Sequence, residues 1–342
     1  MATQTEPSEL NIGLVDIPGT SLKASPIALG TWAIGGWMWG GADEGDAIRT
    51  IQEAVDRGIT LIDTAPVYGF GRSEEIVGKA LAEWGRRKHV RIATKVGLDW
   101  KNGKPFRNAS RTRIHKEIED SLRRLRTDVV DLYQVHWPDP NVSIEETAAA
   151  MADLQRAGKV RAIGVSNFSP AQIDTFRKIA QVHTAQPPYN LFERAVEQDV
   201  LPYCRDRNIV TLAYVSLCRG LLSGRMTART RFAGDDLRKK DPKFQVPRFE
   251  QYLRAVDRLD RFAQANYGRR VIHLALRWVI DRQASMIALW GARKPDQLAP
   301  IAGLADWHID ASAMAEIDQI LSETIEDAVG PEFMAPPNQL AA

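Results

Sequence analysis

Eight short runs rich in β-branched and apolar residues recur along the chain, with amphipathic stretches between them, and this alternation constrains the fold more than any other feature. The runs are IALGTW from Ile27, ITLIDTA from Ile59, VRIATKV from Val90 and VVDLYQVHW from Val129, then VRAIGVSNF from Val160, VHTAQPPYN from Val182, IVTLAYVSL from Ile209 and SMIALWGA from Ser285. After the first, DAIRTIQEAVDRG places Ile48, Ile51, Ala54 and Val55 on one helical stripe, and Gly58 stands where such a helix should end. After the second, SEEIVGKALAEW opens on Ser73 and two glutamates, a good helix start. Strict alternation of eight strands with helices predicts an α/β fold of the closed (β/α)₈ TIM-barrel type rather than an open sheet. A chain of 342 residues is within reach of one such barrel, so a single domain over residues 1–342 is expected, with its barrel core at about 26–325.

The strands are unevenly spaced. Asp63 to Lys95 is 32 residues and Lys95 to His136 is 41, whereas Tyr214 to Gly291 is 77. The seventh unit therefore holds roughly forty extra residues. They include RTRFAGDDLRKKDPKFQVPRFE from Arg229, which is charged, rich in turn formers and weakly periodic. A long loop after the seventh strand is expected, lying over the C-terminal face, where barrels keep their active sites. Leu10 to Leu22 is expected to form a short N-terminal hairpin closing the opposite end.

Charge narrows the function. The 45 basic and 43 acidic residues are dispersed and leave a net +2, without the basic block of a nucleic-acid arm. The N-terminal stretch has neither a basic nor an apolar leader segment, and no run is long enough to span a bilayer, so a cytoplasmic protein with no membrane partner is expected. Cys204 and Cys218 are the only cysteines and fit no metal-ligand pattern, so buried thiols are expected rather than a disulfide or a metal site.

With the strands as assigned, Asp63 ends the second, Tyr68 follows it, Lys95 ends the third and His136 ends the fourth. All four reach one face, and adjacent strands lie roughly 5 Å apart, so these side chains can converge. An ammonium beside a tyrosine favours the phenolate and should lower its pKa, while a buried carboxylate holds the lysine. His136 can then donate to a substrate oxygen and orient it. Singly, each residue has a structural explanation: Asp63 as a turn cap, Lys95 as a strand-end charge, His136 as a core histidine, Tyr68 as packing. Together they form an acid/base site that needs neither metal nor nucleophile.

Eight segments carry a resemblance to a known family: LGTWAIGG, GITLIDTAPVYGFGRSEEIVG, ATKVG, LYQVHWPDP, GVSNFSPAQI, AQPPYNLFER, LCRGLLSG and ALWGARKPDQL. In these the chain resembles the aldo-keto reductases, from about Leu29 to Leu298, and looks closest to a bacterial-type branch of general-stress and polyol or glyceraldehyde reductases. The resemblance implies reduction of aldehydes and ketones, reversible on alcohols or polyols, by hydride transfer from NADP(H). Tyr68 would be the proton donor, with Asp63, Lys95 and His136 as its partners. A monomer or weak homo-oligomer acting on a small carbonyl or polyol is implied.

Cofactor contacts carried over from the family are Gly30, Thr31 and Trp32 on the first strand, and Ser166, Asn167 and Gln186 for the nicotinamide amide. Tyr214 would stack on the nicotinamide ring. Ser216, Leu217, Arg219, Gly220 and Leu221 would follow the pyrophosphate, with Arg219 neutralising it. Gly291 and Gln297 would also contact the cofactor, and Arg293 and Lys294 would meet its 2′-phosphate, because two cations before Pro295, at a helix start, make a phosphate site. The GFG at Gly69 is no dinucleotide fingerprint, since the third glycine is missing. Trp32, Trp37, Trp39 and Trp137 are expected to wall an apolar substrate pocket. The alternative is a cofactor-binding regulatory subunit resembling ion-channel β-subunits, which a tight protein partner and negligible turnover would favour.

Overall fold

A computed structural model describes Leu10 and residues 12–339. Eight parallel strands close a barrel in chain order: β1 (Ile27–Gly30), β2 (Leu61–Asp63), β3 (Arg91–Val96), β4 (Val130–Val135), β5 (Val160–Ser166), β6 (Thr184–Gln186), β7 (Val210–Ala213) and β8 (Met286–Gly291). Closure comes from β8 against β1, where Ala288 pairs with Ile27 and Gly291 with Gly30. Every strand lies within one of the eight apolar runs. Helices α1 (Glu44–Asp56), α2 (Arg72–Trp84), α3 (Arg111–Leu125), α4 (Ile144–Arg156), α5 (Pro170–Arg177) and α6 (Val200–Asp206) follow the first six strands.

The barrel interior is filled from below. Ala28, Leu61, Ala93, Leu132, Ala162, Val210, Leu212, Ile287 and Leu289 pack there with Ile17 and Leu22. The last two come from the N-terminal hairpin, whose strands Val15–Asp16 and Lys23–Ala24 pair antiparallel, so its paired part starts later than Leu10. Each leucine, isoleucine or valine buried in this way contributes about 1.5–3 kcal/mol. The hairpin thus closes the barrel with side chains and leaves the opposite face to chemistry.

One helix start, that of α2, is tied to the site. Asp43, Ser110, Ser143 and Ser169 cap α1, α3, α4 and α5 through side-chain acceptors. Helix α2 has no such cap, and begins at Gly71 in the left-handed region. Ser73, expected to start it, lies buried inside its first turn and bonds to Thr31 Oγ1 at 2.8 Å and to Thr64 Oγ at 2.9 Å. The serine ties α2 to the strand ends that flank the site.

The seventh unit departs from the expected loop in kind. Its extra residues form 3₁₀ turns at Cys218–Ser223, Leu237–Lys239 and Pro242–Phe244, and then a long helix, α7 (Arg248–Tyr267), ahead of α8 (Val271–Ile280). Phe249, Tyr252, Val256, Leu259 and Phe262 recur at helical spacing and bury that helix. A hairpin at Leu98–Lys101 and Lys104–Arg107 follows β3, and a closing helix α9 (Ala311–Thr324) leads to an irregular strap at 331–337. Among the described residues no helix is long and apolar enough to cross a membrane.

Candidate active site

Asp63, Tyr68, Lys95 and His136 meet at the C-terminal mouth of the barrel. Lys95 Nζ donates to Asp63 Oδ1 at 2.5 Å, to the Thr64 carbonyl at 3.0 Å and to Tyr68 Oη at 3.3 Å. Asp63 and Lys95 are buried, whereas Tyr68 and His136 are half-buried and line the space above. The His136 ring stands edge-on to Tyr68 with centroids 5.8 Å apart, and the backbone N–H of His136 is held by the Val96 carbonyl at 2.7 Å. Gly35 and Gly69 let the two loops at this mouth touch. A Cβ on Gly35 would stand 2.6 Å from the Tyr68 backbone, and Gly69, at φ +69°, packs against the Gly35 carbonyl.

The electrostatics correct one expectation. Burial, and then the charge of Asp63, push the Tyr68 hydroxyl well above its usual value of 10, instead of Lys95 drawing it down. The ammonium at 3.3 Å is already matched by the carboxylate at 2.5 Å, and burial lowers the pKa of Lys95 itself against the pull of Asp63. Tyr68 therefore holds its proton at neutral pH. Burial, and then the charge of Lys95, hold His136 well below its usual 6.5, so its imidazole is neutral there.

Two cavities meet at Tyr68, Trp32 and Tyr214. One runs from Asp63 past Gly30, Thr31, Ser216, Leu217 and Gly220 to Gly291, Arg293 and Gln297. The other is walled by Trp32, Trp37, Val67, Leu98 and Trp137 and closed by Phe333, Met334, Pro336 and Pro337 of the strap. Trp39, expected beside the substrate, lies in the first cavity, edge-on to Trp32 at 5.4 Å. Ser166, Asn167 and Gln186 line the second. They are already tied together: Tyr214 Oη donates to Asn167 Oδ1 at 2.8 Å, Asn167 Nδ2 to the His136 carbonyl at 3.0 Å, and Ser166 Oγ to the Gln186 carbonyl at 2.8 Å.

Three residues carried over for the cofactor are placed otherwise. Arg219 borders the first cavity, but its buried guanidinium is committed to Glu193 Oε1 at 2.5 Å and Asp241 Oδ2 at 2.6 Å. Neutralising a pyrophosphate is not what that side chain is placed for. Leu221 is buried in the core, and Lys294 is exposed and absent from the cavity lining. Arg293 does line it, donating to the carbonyls of Trp39 at 2.6 Å and Gly41 at 3.1 Å. No carboxylate is bonded to Arg293 among the described residues, and burial, then the charge of Arg238, lower its pKa. Gln297 Oε1 accepts from the backbone N–H groups of Arg293 and Lys294, which fixes that turn.

This constellation was compared with known proteins. The sequence profile of the Aldo/keto reductase family matches residues 26–322. The chain belongs to the aldo/keto reductase family. It is 61% identical over 323 residues to aldo-keto reductase YhdN of Bacillus subtilis (strain 168), covering 94% of this chain and 98% of that protein. It is 34% identical over 322 residues to the NADH-specific methylglyoxal reductase of Escherichia coli (strain K12), covering 88% and 97%. The solved structure of the glycerol dehydrogenase AKR11B4 from Gluconobacter oxydans superposes with a TM-score of 0.85 at 51% identity, over 94% of this chain and 99% of that one.

This aldo/keto reductase also has site residues that sequence reasoning did not single out. Arg238 lines the first cavity, and the strap residues Phe333 to Pro337 close the second. The strap carries no periodic pattern to announce it. Gln134 does leave a signal: it is a polar residue in a run of mostly apolar ones, two positions before His136 and so on the same side of the strand.

Proposed function

We propose that this protein reduces aldehyde and ketone carbonyls to alcohols with NADPH as hydride donor and Tyr68 as proton donor, and runs backwards on alcohols and polyols. The observation that carries this reading is the position of a protonated tyrosine, backed by a buried Lys95–Asp63 pair, where a cavity reaching Arg293 and an aromatic-walled cavity meet. The first cavity suits a dinucleotide. It has backbone-rich walls at Gly30, Gly220 and Gly291, the Tyr214 ring where it joins the second cavity, and Arg293 at its far end. A bound nicotinamide cofactor supplies the hydride.

The chain's own residues do the rest. Tyr214 and Trp32 bound the junction, so that a ring lying there turns one face to the second cavity. Neutral His136 offers one N–H to the carbonyl oxygen and orients it toward the Tyr68 hydroxyl. Tyr68 releases its proton to that oxygen, and the nearby ammonium of Lys95 steadies the phenolate that remains. The second cavity holds aromatic and aliphatic walls, which favours uncharged carbonyl compounds with a compact apolar or hydroxylated body.

Preference for NADPH rests on Arg293, because the two nicotinamide cofactors differ only by the 2′-phosphate. The 34% identical relative from Escherichia coli is NADH-specific by name, so family membership alone does not carry this assignment. Oxidation of NADPH and of NADH by the purified protein, followed at saturating aldehydes, ketones and sugars, tests both parts. Turnover with NADPH well above that with NADH is expected. Turnover with neither cofactor on any carbonyl rejects the reductase reading, and a preference for NADH rejects the cofactor assignment alone.

A further inference from the structure

Asp63 has a second oxygen, and its partners extend the site beyond the four residues already described. Oδ1 is taken by Lys95, while Oδ2 accepts from Gln186 Nε2 at 2.8 Å and from Gln134 Nε2 at 3.2 Å. The two amides also touch each other, Gln186 Nε2 lying 3.3 Å from Gln134 Oε1. Gln134 is fully buried on β4, in the polar layer just above the alanines and leucines of the barrel interior. A buried amide costs stability unless it is hydrogen-bonded, and here both of its ends are. Space is left for it: its register partner on β5 is Gly164, where a Cβ would stand 2.9 Å from Gln134 Cγ.

The orientation of these amides is forced. A carboxylate oxygen accepts only, so each glutamine must turn its NH₂ end to Asp63. That leaves Gln186 Oε1 without a protein donor among the described residues, and Gln186 lines the second cavity. We propose that Gln134 is a positioning residue that holds the Asp63 carboxylate and the Gln186 amide in one orientation, so that Asp63 faces Lys95 and Gln186 keeps its carbonyl oxygen for a donor in the cavity. On the reductase reading, on which this inference rests, that donor is the N–H of the cofactor's amide. Gln134 itself touches neither cofactor nor substrate.

Lys95 from β3 and Tyr68 from the loop after β2 face Asp63, and Glu74 of α2 acts on Lys95. Among the described residues, Gln134 and Gln186 alone donate to Oδ2. Removing Gln134 leaves Gln186 as the single donor that fixes how the carboxylate turns.

The test uses Gln134→Met, which keeps the length without the amide, with Gln134→Asn as a second arm that keeps the amide but falls short of Asp63. In cofactor-free crystals of Gln134→Met, the Asp63 carboxylate or the Gln186 amide is expected to turn from its wild-type orientation, and finding both unmoved overturns the proposal. In turnover, kcat of either variant is expected to fall about tenfold while KM for the carbonyl changes little. An unchanged kcat in a folded variant overturns the proposal while the reductase reading stands, whereas an inactive wild type rejects that reading and leaves the cofactor-free structure to decide Gln134. Unfolding of both variants overturns it too, since the amide would then serve the fold.

Discussion

Tyr68 keeps its proton because burial disfavours its phenolate and the nearest charge pair is balanced. For reduction this is an advantage, since the acid stays loaded far above neutral pH, and its titration should not limit the rate below about pH 9. The reverse reaction needs the phenolate. Alcohol oxidation is therefore expected to speed up steadily from about pH 7 to 10, and a pH-independent oxidation rate would count against Tyr68 as the base. Tyr68→Phe should fold and bind cofactor as the wild type does, yet lose about 10²–10⁴ in kcat, read from single-turnover reduction so that product release does not mask the step. Arg293→Ala is expected to weaken NADPH binding by about tenfold or more while barely touching NADH, because a charge-assisted hydrogen bond is worth about 1.5–3 kcal/mol. Lys294→Ala should do little to either, and equilibrium titration of both cofactors reads the difference.

The segment between β7 and α7 does two jobs in separate halves. Its first half clasps the loop after β1: Asp235 accepts from the N–H groups of Met38 at 2.8 Å and Gly40 at 3.0 Å, and Leu237 N–H donates to the Met38 carbonyl at 2.9 Å. Arg238 beneath it lines the first cavity. Asp235→Ala is expected to speed cofactor release several-fold with little change in melting temperature, since the bonds lost are exposed; stopped-flow displacement measures it. The second half is structural. Asp241 and Lys243 are fully buried, and Lys243 Nζ bonds Glu193 at 2.7 Å and the Gly330 carbonyl at 3.0 Å. Lys243→Met leaves the buried carboxylates of Glu193 and Asp241 with Arg219 as their one shared cation, and a loss of about 3–5 kcal/mol in denaturant unfolding is expected. The charge and turn formers of this stretch mark it as a loop, but the same composition covers both halves. Burial of the ion cluster depends on partners far along the chain, with 87 residues between Lys243 and Gly330, and no local pattern reports that.

At the scale of the whole molecule, His136, His183 and His273 are all held below the usual 6.5, in each case chiefly by burial. The unfolded chain therefore binds protons that the folded one refuses once the pH drops below about 6.5. Their contribution to stability is complete above that value and is lost as pH falls through it toward the folded values. Melting temperature should decline between about pH 7 and 5, before the carboxylates titrate, and a flat profile there would be inconsistent with neutral buried imidazoles. How much of the molecule could be read in advance follows from range. Strand runs and the quartet at their ends were legible because period and strand register are local and a barrel repeats them. Asp63, Tyr68, Lys95 and His136 converge because β2, β3 and β4 are neighbours. The commitment of Arg219 to Glu193 and Asp241, the exposure of Lys294 and the strap over the second cavity were not legible, since each depends on which distant segment arrives. The strap has a further consequence for how the protein comes into being. Pro336 and Pro337 are held by Arg107, and Gly330 by Lys243, so the side that closes the second cavity is the last stretch of described chain to leave the ribosome. Asp63, Tyr68, Lys95 and His136 are made within the first 136 positions, Arg293 follows, and the strap is added last. A growing chain thus carries its reactive groups long before it has a chamber to use them in.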